Sequence, residues 1–323
     1  MIFYVKKNIR DLSNNNKYLK NAYQVANNLK VNFLKNISDE KFAKLKYKEN
    51  TGLKLDLKEP TSYNEKLWWL KLNNRDPLMT ICSDKAMVRN YVEERGLEKI
   101  LTNCYGTYED AEKIIFEKLP SKVFLKCTHG SGTNIIYDKS KPFNKREFVR
   151  KFNKSLKSNY YYQAREWNYK NIKPQIIIEE YLELNSNEGL VDYRFLCFDG
   201  KVKLIYADIE TTASDGSHSP YAKRNVYTRN FEFIDVKVGR EQFNSQLLEK
   251  PENLEEMIKY AEILSSPFIH CRVDFYNLEG KIYFGEITFY PGGATQKISP
   301  PHWDTKIADW IDLESEKIVR KEE

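Results

Sequence analysis

Apolar residues recur at helical spacing through the first third of the chain and at strand spacing beyond it, with the change near Lys122. Across residues 1–60, Leu19, Tyr23, Val25, Leu29, Phe33, Leu34 and Ile37 predict helices that end near Pro60, and the polar run Ser13–Lys17 reads as a turn. Thr61 and Ser62 with Glu65 resemble a capping box ahead of Leu67-Trp-Trp-Leu70. Ser83 and Asp84 would cap a helix from Lys85 to Arg95 that Gly96 closes. A third helix is expected over about 108–118, stopping at Pro120.

From Lys122 the alternation predicts strands at Val123–Cys127 and Ile135–Tyr137, then a helix near 144–158 and the apolar run Ile176–Leu182. Asp192–Phe198, the turn Asp199-Gly200 and Val202–Ala207 read as a hairpin. Residues 211–230 are polar and suggest a mobile loop. Pro251 and Glu252 open a helix over about 251–264, and strands at 268–276 and 281–289 close the pattern. The boundaries expected are 1–60 (helical extension), 61–120 (a second helical region), 121–182 (a small lobe) and 183–323 (a larger lobe).

With 323 residues, the chain can fill two or three packed lobes. Its net charge of +6 looks spread without a dominant block, which suits anionic ligands such as nucleotides or acidic sugars and does not resemble a nucleic-acid footprint. Cys82, Cys104, Cys127, Cys197 and Cys271 form no C-x-x-C pair, so neither a disulfide framework nor a zinc knuckle is expected, and a reducing cytoplasm is the simplest home. No apolar run approaches the roughly 18–20 residues that cross a bilayer, so membrane contact would be peripheral.

The stretch Phe124 to Tyr137 carries Lys126 on a strand and then His129, Gly130, Ser131, Gly132 and Thr133 before the next strand. Because a strand follows, this is neither a Walker loop nor a Rossmann fingerprint, both of which place phosphate at a helix N-terminus. A glycine hairpin can fold over phosphates and offer backbone N–H groups, with Lys126 adding a point charge. A tight hairpin with a lysine at a strand edge explains the stretch alone equally well.

A second stretch, Arg272-Val-Asp-Phe-Tyr276 to Phe284-Gly-Glu-Ile-Thr288, pairs acids. A loop of three or five residues centred on Glu279 would set Val273 opposite Gly285 and Arg272 opposite Glu286. Asp274 and Glu286 then become diagonal neighbours, about 7–8 Å between backbones, close enough to share one cation such as magnesium. A salt-bridged surface with Arg272 neutralising Glu286 is the alternative. An even loop without a bulge would part the acids.

Together these features resemble the TupA-like branch of the ATP-grasp family, in the order Lys126, glycine loop, Ile176-Ile-Ile-Glu-Glu-Tyr-Leu182, Asp192-Tyr-Arg194, and Val-Asp274 to Gly-Glu286 and Pro291-Gly-Gly293. Tyr63-Asn-Glu-Lys66, Asp84-Lys-Ala86 and Arg165-Glu-Trp167 are similar to that branch too, over roughly residues 60–312. The resemblance implies an α+β ATP-grasp fold, two lobes clamping ATP with Mg2+. It implies adenine contacts from Glu179, Glu180, Tyr181 and Leu182, a ribose contact from Glu183, and phosphate contacts from Lys126 and Lys85. Asp274 and Glu286 match its metal acids, and Arg272 and Arg194 would face the transferred phosphoryl group. The Asn usual two residues after the Glu is Thr288 here, which leaves the number of metal ions open.

The activity implied is a carboxylate–amine ligation through an acyl phosphate, joining an amino acid or amine to an acidic sugar or polysaccharide precursor. A glycosyltransferase of the same pathway and a non-catalytic polysaccharide-binding protein are the competing readings. The first lacks a D-x-D motif, and the second sits poorly with intact Lys126, Asp274 and Glu286.

Overall fold

The computed structural model describes residues 35–183 and 190–321. The expectations for the first 34 residues, with the Ser13–Lys17 turn, lie outside them. Helices α1 (Asp39–Thr51), α2 (Tyr63–Asn73), α3 (Pro77–Ser83) and α4 (Met87–Glu94) come first. They are followed by β1 (Cys104–Tyr108), β2 (Lys122–Cys127), β3 (Ile135–Asp138), α5 (Lys145–Leu156), α6 (Tyr161–Ala164) and β4 (Ile176–Glu180). The rest is β5 (Asp192–Phe198), β6 (Lys201–Ile209), β7 (Lys223–Thr228), β8 (Phe233–Ile234), β9 (Lys237–Val238), α7 (Leu254–Ser265), β10 (His270–Leu278), β11 (Lys281–Thr288), β12 (Ile298–Ser299) and α8 (His302–Ala308). The fold is α+β, and among the described residues no helix is long and apolar enough to cross a membrane.

A four-stranded antiparallel sheet, ordered β1-β4-β2-β3, builds the small lobe. Val123, Leu125 and Cys127 point to one face, where Phe148 and Phe152 of α5 cover them. Phe124 and Lys126, at the alternate positions, face the other way. The helix expected over 108–118 is not formed. Its first residue, Tyr108, is the last of β1, and two short 3-10 turns, Ala111–Lys113 and Phe116–Lys118, follow. The reason lies in β4: Ile176, Ile177 and Ile178 are fully buried, and a central strand needs a ladder partner on each edge. β1 therefore joins this sheet from before residue 121, where a boundary was expected.

The large lobe is a six-stranded sheet, β11-β10-β5-β6-β7-β8. Phe195, Cys197, Cys271 and Val273 share its core with Met257, Ile258 and Ala261 of α7. Tyr63, Leu67 and Trp68 of α2 belong to that same core, so the helices before residue 101 are packed as part of this lobe. The Ser62 and Glu65 capping box forms as expected. The helix after Asp84 starts at Met87, because the Asp84 carboxylate accepts the N–H of Ala86 at 2.9 Å and turns the chain first. The polar stretch 211–230 contains β7, which pairs with β6 and buries Val226 and Tyr227; 211–222 is loop and 229–230 a turn.

Candidate functional site

Lys126 projects from the face of the small sheet that α5 leaves open. Its ammonium lies 2.9 Å from Glu179 Oε2, while Arg89 reaches Glu179 Oε1 at 3.4 Å. Burial would raise the Glu179 carboxyl, but Lys126 and Arg89 outweigh it and hold it below its ordinary value. Lys85 approaches from the helical side, donating to the Gly130 carbonyl at 2.6 Å, and burial lowers its pKa. Lys85, Lys126, Glu179 and Glu286 line one recess between the lobes.

The glycine loop joins β2 to β3, pinned by the Cys127 N–H bonding to Thr133 Oγ1 at 3.2 Å, with Ser131 and Gly132 exposed at its tip. His129 goes elsewhere. Its ring is buried against the end of α5, Nε2 sitting 3.1 Å from the Ser155 carbonyl, so it anchors the loop from behind.

The stretch Glu179–Leu182 lines a cavity of about 540 Å3, walled also by Phe124, Tyr276 and Phe284. The Glu180 N–H and carboxylate are both engaged by Asn103, and the Lys122 ammonium sits 3.9 Å from the Tyr181 ring centroid. Glu183 is exposed, 3.4 Å from Lys122.

The acids meet through a register that differs from the one expected. The hairpin turn is even, Glu279 (φ 51°) and Gly280 (φ 80°) between the paired Leu278 and Lys281. A bulge at Gly285 then shifts the ladder by one residue, so Arg272 faces Thr288 and Asp274 faces Glu286 directly. An even turn alone would have sent the acids to opposite faces. The bulge restores them to one.

Arg272 lies between them. It chelates Asp274 with Nε and Nη2, both at 2.6 Å, and the same Nη2 reaches Glu286 Oε1 at 3.0 Å and Thr288 Oγ1 at 3.1 Å. Burial raises the Asp274 carboxyl, with Arg272 and Arg194 drawing it back; at Glu286 the guanidiniums and Lys85 overcome burial and take the carboxyl down to about 2. Two carboxylates converging on one cationic atom form an all-oxygen set suited to magnesium, which takes one or two carboxylates and fills its remaining positions with phosphate and water. As they stand the two acids are neutralised by Arg272, the salt-bridged arrangement weighed as the alternative, and their oxygens with Thr288 Oγ1 are the donors such an ion would use if Arg272 released them. Among the described residues no group of three or more His, Cys, Asp or Glu gathers as a self-sufficient metal site.

The polar face continues beyond what the sequence pattern singled out. Arg194 pairs with Asp192 at 2.8 Å and with Asp208 at 3.0 Å, and lies 3.7 Å from Asp274. Asp208 also takes a bidentate pair from Arg224, both bonds 2.6 Å, and a contact from Arg240. Asp192, Asp208 and Arg224 occupy one rung across β5, β6 and β7. Tyr206 and Asp208 alternate with buried Ile205 and Ala207, a period that marks the polar face, but reading 211–230 as loop hid the strand that completes the rung.

Two of the remaining motifs meet each other: Lys71, at the end of the Trp-Trp-Leu-Lys run, donates to the Gly293 carbonyl of Pro-Gly-Gly at 2.9 Å. Arg165 is buried and pairs with Asp39 of α1 at 2.9 Å.

A family profile described as TupA-like ATPgrasp matches residues 65–312. Among solved structures, similarity is found to D-alanine–D-alanine ligase from Bacillus anthracis complexed with ATP, at 17% identity and TM-score 0.40, covering 72% of this chain and 65% of that one. Biotin carboxylase from Campylobacter jejuni in a β-γ-ATP complex matches at 12% identity and TM-score 0.41, covering 73% and 45%. The chain spans less than two thirds of the length of either structure. No curated protein matches it.

Proposed function

The chain belongs to the TupA-like ATP-grasp family, and from that premise we propose that it is an ATP- and magnesium-dependent carboxylate–amine ligase. Its product is an amide between an amino acid or amine and an acidic sugar of a cell-surface polysaccharide or its precursor. The carboxylate oxygen attacks the γ-phosphorus of ATP, the bond to the β-phosphate oxygen breaks, and ADP leaves with an acyl phosphate formed. The amine then attacks the acyl carbon, loses a proton and expels phosphate.

Such transfer asks the protein for position and charge, not for a nucleophile. Lys126 and Lys85 would exchange their present partners, Glu179 and the Gly130 carbonyl, for phosphate oxygens. The Gly130–Thr133 loop covers those phosphates, while Glu179–Leu182 and Glu183 meet adenine and ribose at the cavity wall. Arg272 and Arg194 stabilise the charge on the phosphoryl group in flight. Asp274 and Glu286, with Thr288, would hold magnesium once Arg272 gives them up for the phosphoryl group, and the ion would supply charge neutralisation for the phosphates. His129 serves by fixing the loop.

The observation that carries this reading is the direct Asp274–Glu286 pairing on the sheet face beside the recess of Lys85 and Lys126. The test is incubation with ATP, magnesium and a panel of uronic acids and amines. ADP and phosphate formed only when acid and amine are both present support a ligase. Release of a nucleoside diphosphate from a sugar donor would assign a transferase, and nucleotide binding without turnover on any pair a scaffold.

A further inference from the structure

The chain's positive charge is not spread evenly. Residues 139–157 hold eight Lys and Arg against one acid, Glu147, a net of +7 in a chain whose whole net charge is +6. Residues 1–48 carry a comparable excess, 11 Lys and Arg against three acids, so α5 and the turn before it hold one of two basic stretches, and the remainder of the chain is net acidic. All eight cations are exposed. Among the described residues only Lys141 has a carboxylate within ion-pair reach, Asp138 at 3.8 Å. Like charges gathered at this density repel one another and are costly unless an anionic surface receives them.

The geometry says what kind of surface. Arg146, Arg150 and Lys154 follow one another at four-residue steps, about 6 Å apart along α5, with Lys157 one further turn on. Lys139 and Lys141 extend the patch sideways onto the turn after β3, so the charges cover an area and not a line. The helix has no apolar side to offer, because Phe148 and Phe152 are 3% and 0% exposed in the small-lobe core. It can adsorb to headgroups but cannot insert.

We propose that this face of α5 docks the protein on an anionic membrane surface through lipid headgroups. An exposed row of cations on a helix with no apolar anchor, widened by the turn beside it, matches a leaflet of acidic lipids better than a single polymer strand. The strand parity adds a consequence. α5 covers the Val123, Leu125 and Cys127 side of the small sheet, whereas Phe124 and Lys126 face the cleft. Docking through α5 therefore leaves Phe124 and Lys126 turned away from the leaflet, and Lys141 of the patch, which also lines the nucleotide cavity, marks where the two faces meet. The inference does not depend on the ligase reading, since a protein bound this way could carry any cleft chemistry.

The test is co-sedimentation of the full chain with phosphatidylcholine vesicles, with and without phosphatidylglycerol, at low and high salt. Binding is expected only with phosphatidylglycerol, and salt should abolish it. Arg146→Glu with Arg150→Glu and Lys154→Glu should weaken it by roughly a hundredfold or more. Should circular dichroism show that this variant is unfolded, the same three positions changed to Gln are expected to weaken it at least about tenfold. Three results would overturn the proposal: equal binding to neutral vesicles, no binding to acidic ones, or unchanged binding in the folded variants. Tight binding of a soluble polyuronate at a salt concentration where acidic vesicles are ignored would overturn it too, and give the face to a polymer.

Discussion

Gly285 packs so tightly beneath Asp274 that a β-carbon on it would stand 3.0 Å from the Asp274 carbonyl oxygen and 3.4 Å from the Asp274 β-carbon. Any side chain at the bulge that sets Asp274 opposite Glu286 would therefore press on the Asp274 backbone and force it to shift by a few tenths of an ångström. Gly285→Val should cost about 1–3 kcal/mol of stability by overpacking and move the two acids apart. Thermal denaturation with and without magnesium and ATP checks both effects: the melting temperature falls, and the shift on adding ligand disappears.

Lys126 is the small-sheet cation that shares the recess with Lys85, and Glu179 keeps Arg89 as a second partner if it is removed. Lys126→Ala should therefore fold normally but lose about 1.5–3 kcal/mol of phosphate interaction, a tenfold to hundredfold weaker ATP affinity. Titration calorimetry reads this directly. Unchanged affinity would remove Lys126 from the phosphate site.

Asp208 has no exposed surface and gathers three guanidiniums, which overcome burial and hold its carboxyl down to about 2. Asp208→Asn would leave Arg224, itself 2% exposed, without its charge partner. The expected loss is about 3–5 kcal/mol, measurable in a urea transition.

His270 gives a pH signature. Its ring is buried, with Nδ1 2.8 Å from the Cys197 carbonyl and Nε2 2.9 Å from the Tyr63 hydroxyl, and burial takes it from 6.5 to about 4. The folded state thus favours the neutral ring, Nδ1–H donating and Nε2 accepting. Its contribution is whole above the unfolded value near 6.5 and is lost as pH falls toward 4. Between pH 7 and pH 5 the loss is about 2 kcal/mol. Urea transitions at the two pH values measure it, and His270→Gln should flatten the dependence.

Much of this arrangement was legible in the residues. The β10–β11 acids, the Lys126 strand and the Ser62–Glu65 cap follow from period and spacing, because each is written within a few consecutive positions. The register was not. A two-residue turn and a one-residue bulge at Gly285 cancel in parity, so the right face emerged from the wrong loop length. β1 was missed because its need arises from β4, some 70 residues on, whose buried isoleucines require a second ladder partner. Asp208, Arg224 and Arg240 carry no motif and meet only when β6 and β7 pair. His129, adjacent to the glycines in sequence, turns behind them because α5 offers it the Ser155 carbonyl.

The most direct measurement of the central claim is trapping with hydroxylamine. With ATP, magnesium and the uronic acid panel, the account predicts an acyl hydroxamate formed in step with ADP by the native protein, and none by Asp274→Asn with Glu286→Gln. ADP released without hydroxamate from any acid, or hydroxamate formed equally by the double variant, would contradict it.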